Sequence, residues 1–171
     1  IKEELKDRVF IVTDIVQKET KRSPYPPLTT SLLQQEASRR AGFSSKRTMG
    51  LAQRLYEEGS ITYHRTDSYN LSGDFISEAR NYIEKNFGKK YLSASPRIFK
   101  TKSKLAQEAH EAIRPTNVFL KEEEVTSKLG RDFARLYGII YKRAIATQMA
   151  DAVFLSTKVS AKGESASGRD T

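Results

Sequence analysis

Gly59-Ser60-Ile61-Thr62-Tyr63-His64-Arg65-Thr66-Asp67-Ser68-Tyr69-Asn70-Leu71-Ser72 is the stretch around which the chain is organised. Ile61 and Tyr63, two positions apart, read as a short extended segment entering a polar turn. Between Tyr63 and Ser68 the chain gathers a phenol, an imidazole, a guanidinium, a carboxylate and two hydroxyls. A tyrosine hydroxyl, with a pKa near ~10, is a poor nucleophile at neutral pH unless a fixed cation stabilises the phenolate. Arg65 lies two residues on, and alternation along an extended backbone puts it on the same face as Tyr63. Guanidinium matches phosphate better than ammonium does, so Tyr63 and Arg65 form a candidate phosphate-attacking pair. Taken alone, the same residues also fit a half-buried strand tyrosine with Asp67 and Ser68 capping a turn or helix.

Immediately upstream the pattern is helical. Thr29-Thr30-Ser31 offers N-cap hydroxyls, and Ser31 with Gln34 fits a capping box for a helix from about Leu32 to Ala41, stopped by Gly42. Ser44-Ser45 can cap a second helix, Lys46 to Glu58, with Leu51, Ala52, Leu55 and Tyr56 at helical spacing and Gly59 as its stop. Two helices joined by a short glycine-containing turn resemble a helix-turn-helix. Ser45, Lys46, Arg47 and Thr48 at the second N-terminus could hold a phosphate, or simply begin a capped amphipathic helix.

Downstream, Ser72 can cap a third helix from Gly73 to Phe87, with Phe75, Ile76, Ala79, Ile83 and Phe87 as its buried stripe and Gly88 as its stop. A loop-like basic segment follows. Lys121 to Lys128 predicts one or two helical turns, and Arg131 to Met149 a long helix with Phe133, Leu136, Tyr137, Ile140 and Ala144 on its apolar face. At the two ends, Val9 to Val16 and Val153 to Ala161 read as strands, the second with one face buried. Lys18 to Arg22 is a basic exit, and Ser23-Pro24-Tyr25-Pro26-Pro27 a stiff connector that cannot be helical.

The expected fold is mainly α with a small β portion, a helical domain inserted between strands of a second, β domain. Its expected parts are residues 1–24 and 151–171 of the β domain around a helical domain over 25–150.

The 171 residues carry a net charge of +9, and 37% are hydrophobic, enough for a modest core. A pI near 9.7 favours an anionic partner, nucleic acid before acidic membrane. Arg80, Lys85, Lys89, Lys90, Arg97, Lys100, Lys102 and Lys104 stand against Glu84 alone between positions 80 and 104. Such a run is also a solvated, solubilising face. The absence of cysteine excludes disulfides and thiolate metal sites and fits a reducing cytosol. No apolar run approaches the ~20 residues of a membrane span, and no lysine-rich amphipathic helix with aromatic anchors suggests membrane binding. Both ends read as cut from something longer. A lone His110 beside Glu108 and Glu111 has no second histidine at zinc spacing.

Ile61-Thr62-Tyr63-His64-Arg65-Thr66-Asp67-Ser68, followed by Asn70-Leu71-Ser72, resembles the active-site tyrosine segment of bacterial type IA DNA topoisomerases, with His64 where many of those enzymes have methionine. His110-Glu111-Ala112-Ile113-Arg114-Pro115 resembles a second block of that family, whose histidine lies close to the tyrosine. Pro27 to Ala37 and Arg47 to Glu57 are similar to it in the same order.

The resemblance implies an isomerase that cleaves one DNA strand by tyrosine transesterification, keeps the 5′ end as a phosphotyrosine intermediate, passes a strand and religates. Such an enzyme relaxes negative supercoils. The residues it implicates are Tyr63 as nucleophile, Arg65 as phosphate clamp and His110 as phosphate ligand or proton carrier. Arg65, Thr66, Lys46, Arg47 and Arg114 are expected to contact DNA. The resemblance further implies Mg2+ bound by an acidic cluster in a Toprim domain outside this chain, and no metal within it. The partners it implies are single-stranded DNA and the rest of the same polypeptide, in a cytoplasmic, nucleoid-associated enzyme whose β portion belongs to an arch domain. A non-catalytic helix-turn-helix-like nucleic-acid-binding module, with Tyr63 structural, is the alternative.

Overall fold

A computed structural model describes residues 8–99 and 110–165. The segment 100–109, with the basic residues Lys100, Lys102 and Lys104 and with Glu108, lies outside the described residues. The chain divides into two compact units, Ile1–Arg22 with Ala152–Thr171, and Ser23–Asp151.

The first unit is an antiparallel ribbon of β1 (Arg8–Arg22) and β2 (Ala152–Ser165). Its β-branched residues favour extended backbone, and the strand continues through Lys18 to Arg22, which the sequence reads as an exit. The register runs from Arg8 opposite Ser165 to Arg22 opposite Ala152, with a bulge between Val12 and Asp14. The expectation that β2 buries one face is corrected. Val153, Leu155 and Val159 are all more than half exposed, as are Val9 and Ile15 on β1. A two-stranded ribbon has no second layer to cover its faces.

The second unit is helical, so the protein is mainly α with a small β portion. Helix α1 (Thr30–Ala41) is capped by Thr29, whose Oγ1 accepts from the Leu32 N–H, and ends at Gly42 with φ 70°. The cap therefore falls two residues before the expected Ser31, and Ser31 instead hydrogen-bonds to the Thr29 hydroxyl within the first turn. Helix α2 (Ser45–Glu57) is capped by Ser44, and α3 (Gly73–Phe87) by Ser72. The short α4 (Glu122–Leu129) packs on α5 (Arg131–Ala146), which ends before the expected Met149.

Two buried clusters hold the unit together. The larger joins Leu33 and Ala37 of α1, Ala52 and Leu55 of α2, and Leu136, Tyr137 and Ile140 of α5 to Leu28, Ile61 and Ile113. The smaller joins Phe75, Ala79 and Ile83 of α3 to Val118, Ala144 and Ile145. Helix α5 contributes to both, and Tyr141 packs against both. Phe87, expected in the α3 stripe, is about half exposed because that cluster ends at Ile83, one turn earlier. The hydroxyls of the buried Tyr137 and the partly buried Tyr141 donate to the carbonyls of Leu120 and Val118, which meets the need of a polar group inside the fold for a partner.

Candidate active site

The site is made where two irregular segments run side by side beneath the start of α1. Gly59, at φ 68°, turns the chain out of α2; left-handed backbone of this kind favours glycine. Ile61 then pairs with Pro115 in an isolated bridge and is buried. Thr62 locks the two segments together. Its N–H donates to the Arg114 carbonyl (2.9 Å), its hydroxyl donates to the Ala112 carbonyl (2.8 Å), and the same oxygen accepts from the Arg114 N–H (3.0 Å). Ile113 in turn pairs with Leu28, just before α1.

Beyond Thr62 the chain is not a regular strand, yet its side chains alternate. His64, Thr66 and Ser68 are buried, while Tyr63, Arg65 and Asp67 face outward. Helix α1 enforces this. The Thr30 N–H donates to the Thr66 carbonyl (2.9 Å), and the Thr30 hydroxyl accepts from the Thr66 N–H (2.9 Å) and donates to the His64 carbonyl (2.8 Å). Thr66, expected at DNA, is thus largely inside, where its hydroxyl accepts from the Ser68 N–H.

Tyr63 is 45% exposed, its ring edge-on to Tyr56 (centroids 5.2 Å) and to His64 (5.3 Å). It borders a recess of about 270 Å3 lined also by Thr62, Thr66, His110 and Glu111. Arg65 borders a recess of about 460 Å3 with Thr29, Thr30, Ser31, Gln34, Asp67, Thr66 and His110. The two recesses share Thr66 and His110, so the exposed His110 stands between the tyrosine and the arginine. A third recess, of about 530 Å3, shares Ser31 and Gln34 with the second and follows α1 to Arg39 and Ser45. Together they form a trough that starts at Tyr63.

Glu111 closes the tyrosine recess as a fixed anion. Its Oε1 accepts from the Ser72 N–H (2.6 Å), and its Oε2 pairs with Arg114 Nη2 (2.6 Å). Arg114, expected at DNA, instead turns inward. Its side chain is 14% exposed, lies over the Phe75 ring at 4.9 Å, and donates to Glu111, Ser72 and the Pro115 carbonyl. A guanidinium so engaged has few donors left for a phosphate. Lys46 is exposed on the first turn of α2, whereas Arg47 pairs with Asp132 and lies over the Phe43 ring at 4.9 Å. Neither Lys46 nor Arg47 lines the two recesses at Tyr63 and Arg65.

His64 is fully buried, and burial foremost, then the nearby Arg65 charge, holds its pKa below the usual histidine range, against the opposing pull of Glu57. Among the described residues no group of three or more His, Asp or Glu side chains could hold a metal ion. Glu111, the carboxylate of the tyrosine recess, is already bound to Ser72 and Arg114, so among the described residues that recess offers no free carboxylate for Mg2+.

Sequence reasoning missed Tyr56 and Glu111 as walls of the tyrosine site and the hydroxyls of Thr29, Thr30 and Ser31 beside Arg65. The Pro27 to Ala37 block carried the only signal for the latter.

The model of the family described as DNA topoisomerase matches residues 1–170. The chain belongs to the DNA topoisomerase family. DNA topoisomerase 1 of Rickettsia felis is 51% identical over 159 residues, covering 88% of this chain and 20% of that protein. DNA topoisomerase 1 of Campylobacter jejuni is 45% identical over 172 residues, covering 96% and 25%. Full-length topoisomerase I from Thermotoga maritima has a similar fold, with a TM-score of 0.75 and 38% identity over 92% of this chain and 26% of that one. This topoisomerase-family chain therefore spans about a fifth to a quarter of the length of these relatives. Among the described residues no helix is long and apolar enough to cross a membrane.

Proposed function

We propose that this chain is the tyrosine-bearing part of a type IA topoisomerase. In this reading the Tyr63 Oη attacks a backbone phosphorus of single-stranded DNA. The Oη–P bond forms, the P–O3′ bond breaks, and the phenolic proton leaves as the 3′ oxygen gains one. The 5′ end stays on Tyr63, another strand passes through the gap, and the 3′ hydroxyl reverses the reaction. Ester exchange conserves the bond, so no nucleotide cofactor is needed.

Arg65 binds the phosphate and stabilises the charge that develops on it. His110, in contact with both recesses, binds the phosphate or carries the proton. Glu111 orients groups in the tyrosine recess, held there by Arg114. The trough along α1, with Thr66 in its wall and Ser45, the residue before Lys46 and Arg47, at its far end, takes the strand beside the cleaved bond, and those two cations attract it there. The observation that carries the reading is the half-exposed Tyr63 sharing a recess with His110, directly beside the recess of Arg65.

The remaining parts of the proposal concern the whole enzyme. Residues 1–24 and 151–171 are strands of an arch domain, and 25–150 the helical domain they carry. Mg2+, held by an acidic Toprim cluster elsewhere in the polypeptide, supplies electrostatic help at the phosphate when bound. The enzyme works in the cytoplasm, on the nucleoid.

The test is to incubate the full-length protein with 3′-labelled single-stranded DNA and denature it. Label retained on protein, and lost in Tyr63→Phe, supports the reading; equal retention by the variant overturns it. The isolated chain is expected not to relax supercoiled DNA, and efficient relaxation by it counts against the division of labour.

A further inference from the structure

His64 has no part in the mechanism above, and its placement is costly. It is fully buried, and neither Nδ1 nor Nε2 has a hydrogen-bond partner. Buried polar atoms without partners destabilise a fold, so packing alone gives no reason for an imidazole here. What distinguishes the position is its neighbours. His64, Tyr56 and Tyr63 form a closed set of three rings, with centroids 5.2 Å (Tyr56–Tyr63), 5.3 Å (Tyr63–His64) and 6.0 Å (Tyr56–His64) apart. The two contacts of Tyr63 are edge-to-face, and such contacts fix a ring's direction as well as its place. The backbone beneath is pinned as well, by the Thr30 hydroxyl on the His64 carbonyl.

We infer that His64 is a positioning residue for Tyr63: with Tyr56 it forms a socket that aims the phenol, and the socket works only while the imidazole is uncharged. The inference rests on the reading of Tyr63 as nucleophile.

The charge condition follows from the surroundings. A protonated ring would bring two N–H donors into a space where neither nitrogen has an acceptor. The charged groups whose fields reach it are Arg65, which opposes protonation, and the more weakly felt Glu57 of α2. The ionisable groups in ring contact are the phenols of Tyr56 and Tyr63. Helix α1 presents the Thr30 hydroxyl, already donating to the backbone. A buried cation without an acceptor is relieved by moving, and the ring packed against it is Tyr63.

The experiment is single-turnover cleavage of a saturating 3′-labelled single-stranded oligonucleotide by the full-length enzyme from pH 5 to 8, with the Kd measured in parallel. In the parent enzyme the cleavage rate should fall by up to about tenfold per pH unit below the His64 pKa, with Kd unchanged by that titration. His64→Ala should slow cleavage about tenfold at pH 7.5 at constant Kd. His64→Met, which refills the volume with an unbranched apolar chain, should recover most of that loss and decline less steeply in acid than the parent, keeping only the part set by His110 and the Tyr63 phenol.

An unchanged rate in His64→Ala, or an acid decline in His64→Met as steep as the parent's over the same pH range, overturns the inference. The Met variant and the pH arm decide the matter even if the Ala variant folds poorly. Tyr63→Phe in the same assay separates the two levels. If it still traps DNA, the nucleophile reading and this inference fall together. If it does not, while the His64 variants match the parent at every pH, only this inference falls.

Discussion

Replacing Glu36 by glutamine removes a carboxylate that joins α1 to α5. Glu36 Oε1 meets Arg143 Nη2 at 2.9 Å, with the two side chains 7% and 11% exposed. Arg143 also donates to the Pro26 carbonyl and lies over the Tyr25 ring at 5.2 Å. Arg39 and Arg40 pair with the same carboxylate from largely exposed positions. Such exposed pairs are worth at most about 1 kcal/mol each, whereas breaking a buried pair costs about 3–5 kcal/mol.

The amide oxygen of glutamine can still accept one bond, and Arg143 keeps its other contacts. The low end of that range, about 3 kcal/mol, is therefore expected, or a Tm lower by roughly 10 °C for a unit of this size. The loss should depend on pH. Burial by itself would raise the Glu36 pKa, but the hydrogen bond from Arg40 and the charges of Arg143, Arg40 and Arg39 outweigh it and hold the carboxyl below its ordinary 4.5. A depressed carboxyl contributes stability that is fully present above 4.5 and fades as pH falls through the lowered value. Urea unfolding of the parent and Glu36→Gln proteins at pH 7 and at pH 3.5 measures both effects. A gap under 1 kcal/mol at pH 7, or one that does not shrink in acid, refutes the reasoning.

Two further substitutions separate reacting groups from supporting ones. Arg65→Ala should lower DNA cleavage by about a hundredfold, as loss of one transition-state donor does, while weakening DNA binding far less; equal losses in cleavage assays and binding titrations refute a transition-state role. Arg114→Ala should instead reduce stability by about 2 kcal/mol, since it removes charged hydrogen bonds from a largely buried site, and should leave the Kd for single-stranded DNA within about twofold. A large change in that Kd with unchanged urea unfolding would return Arg114 to the DNA surface.

Local signals made parts of this architecture legible. Helix α3 runs from Gly73 to Phe87 as expected because Ser72 caps it and Gly88 ends it without help from elsewhere. Alternation placed Tyr63 and Arg65 on one face, and burial does alternate through the segment although it is not a regular strand; that this face meets solvent was not legible. Nor was the start of α1. Three consecutive hydroxyl residues can each cap a helix, and the choice is made by Thr30, whose hydroxyl is engaged by the backbone of His64 and Thr66 more than thirty residues away. The surroundings of Arg114 were not legible for a similar reason: its sequence block suggests a DNA contact, and only folding brings Glu111 and the Phe75 ring against its guanidinium. The β2 pattern suggests a buried face, whereas its apolar side chains are exposed in a two-stranded ribbon. The burial of His64 follows the same alternation that exposes Tyr63, but its ring contacts with Tyr56 depend on how α2 packs.

The most direct measurement is the identity of the residue that carries the DNA. Full-length protein trapped on a single-stranded oligonucleotide would be digested with protease and nuclease, and the nucleotide-bearing peptide sequenced by mass spectrometry. The account predicts a 5′-linked nucleotide on the hydroxyl of Tyr63. A nucleotide on any other residue, or one joined through its 3′ end, contradicts it.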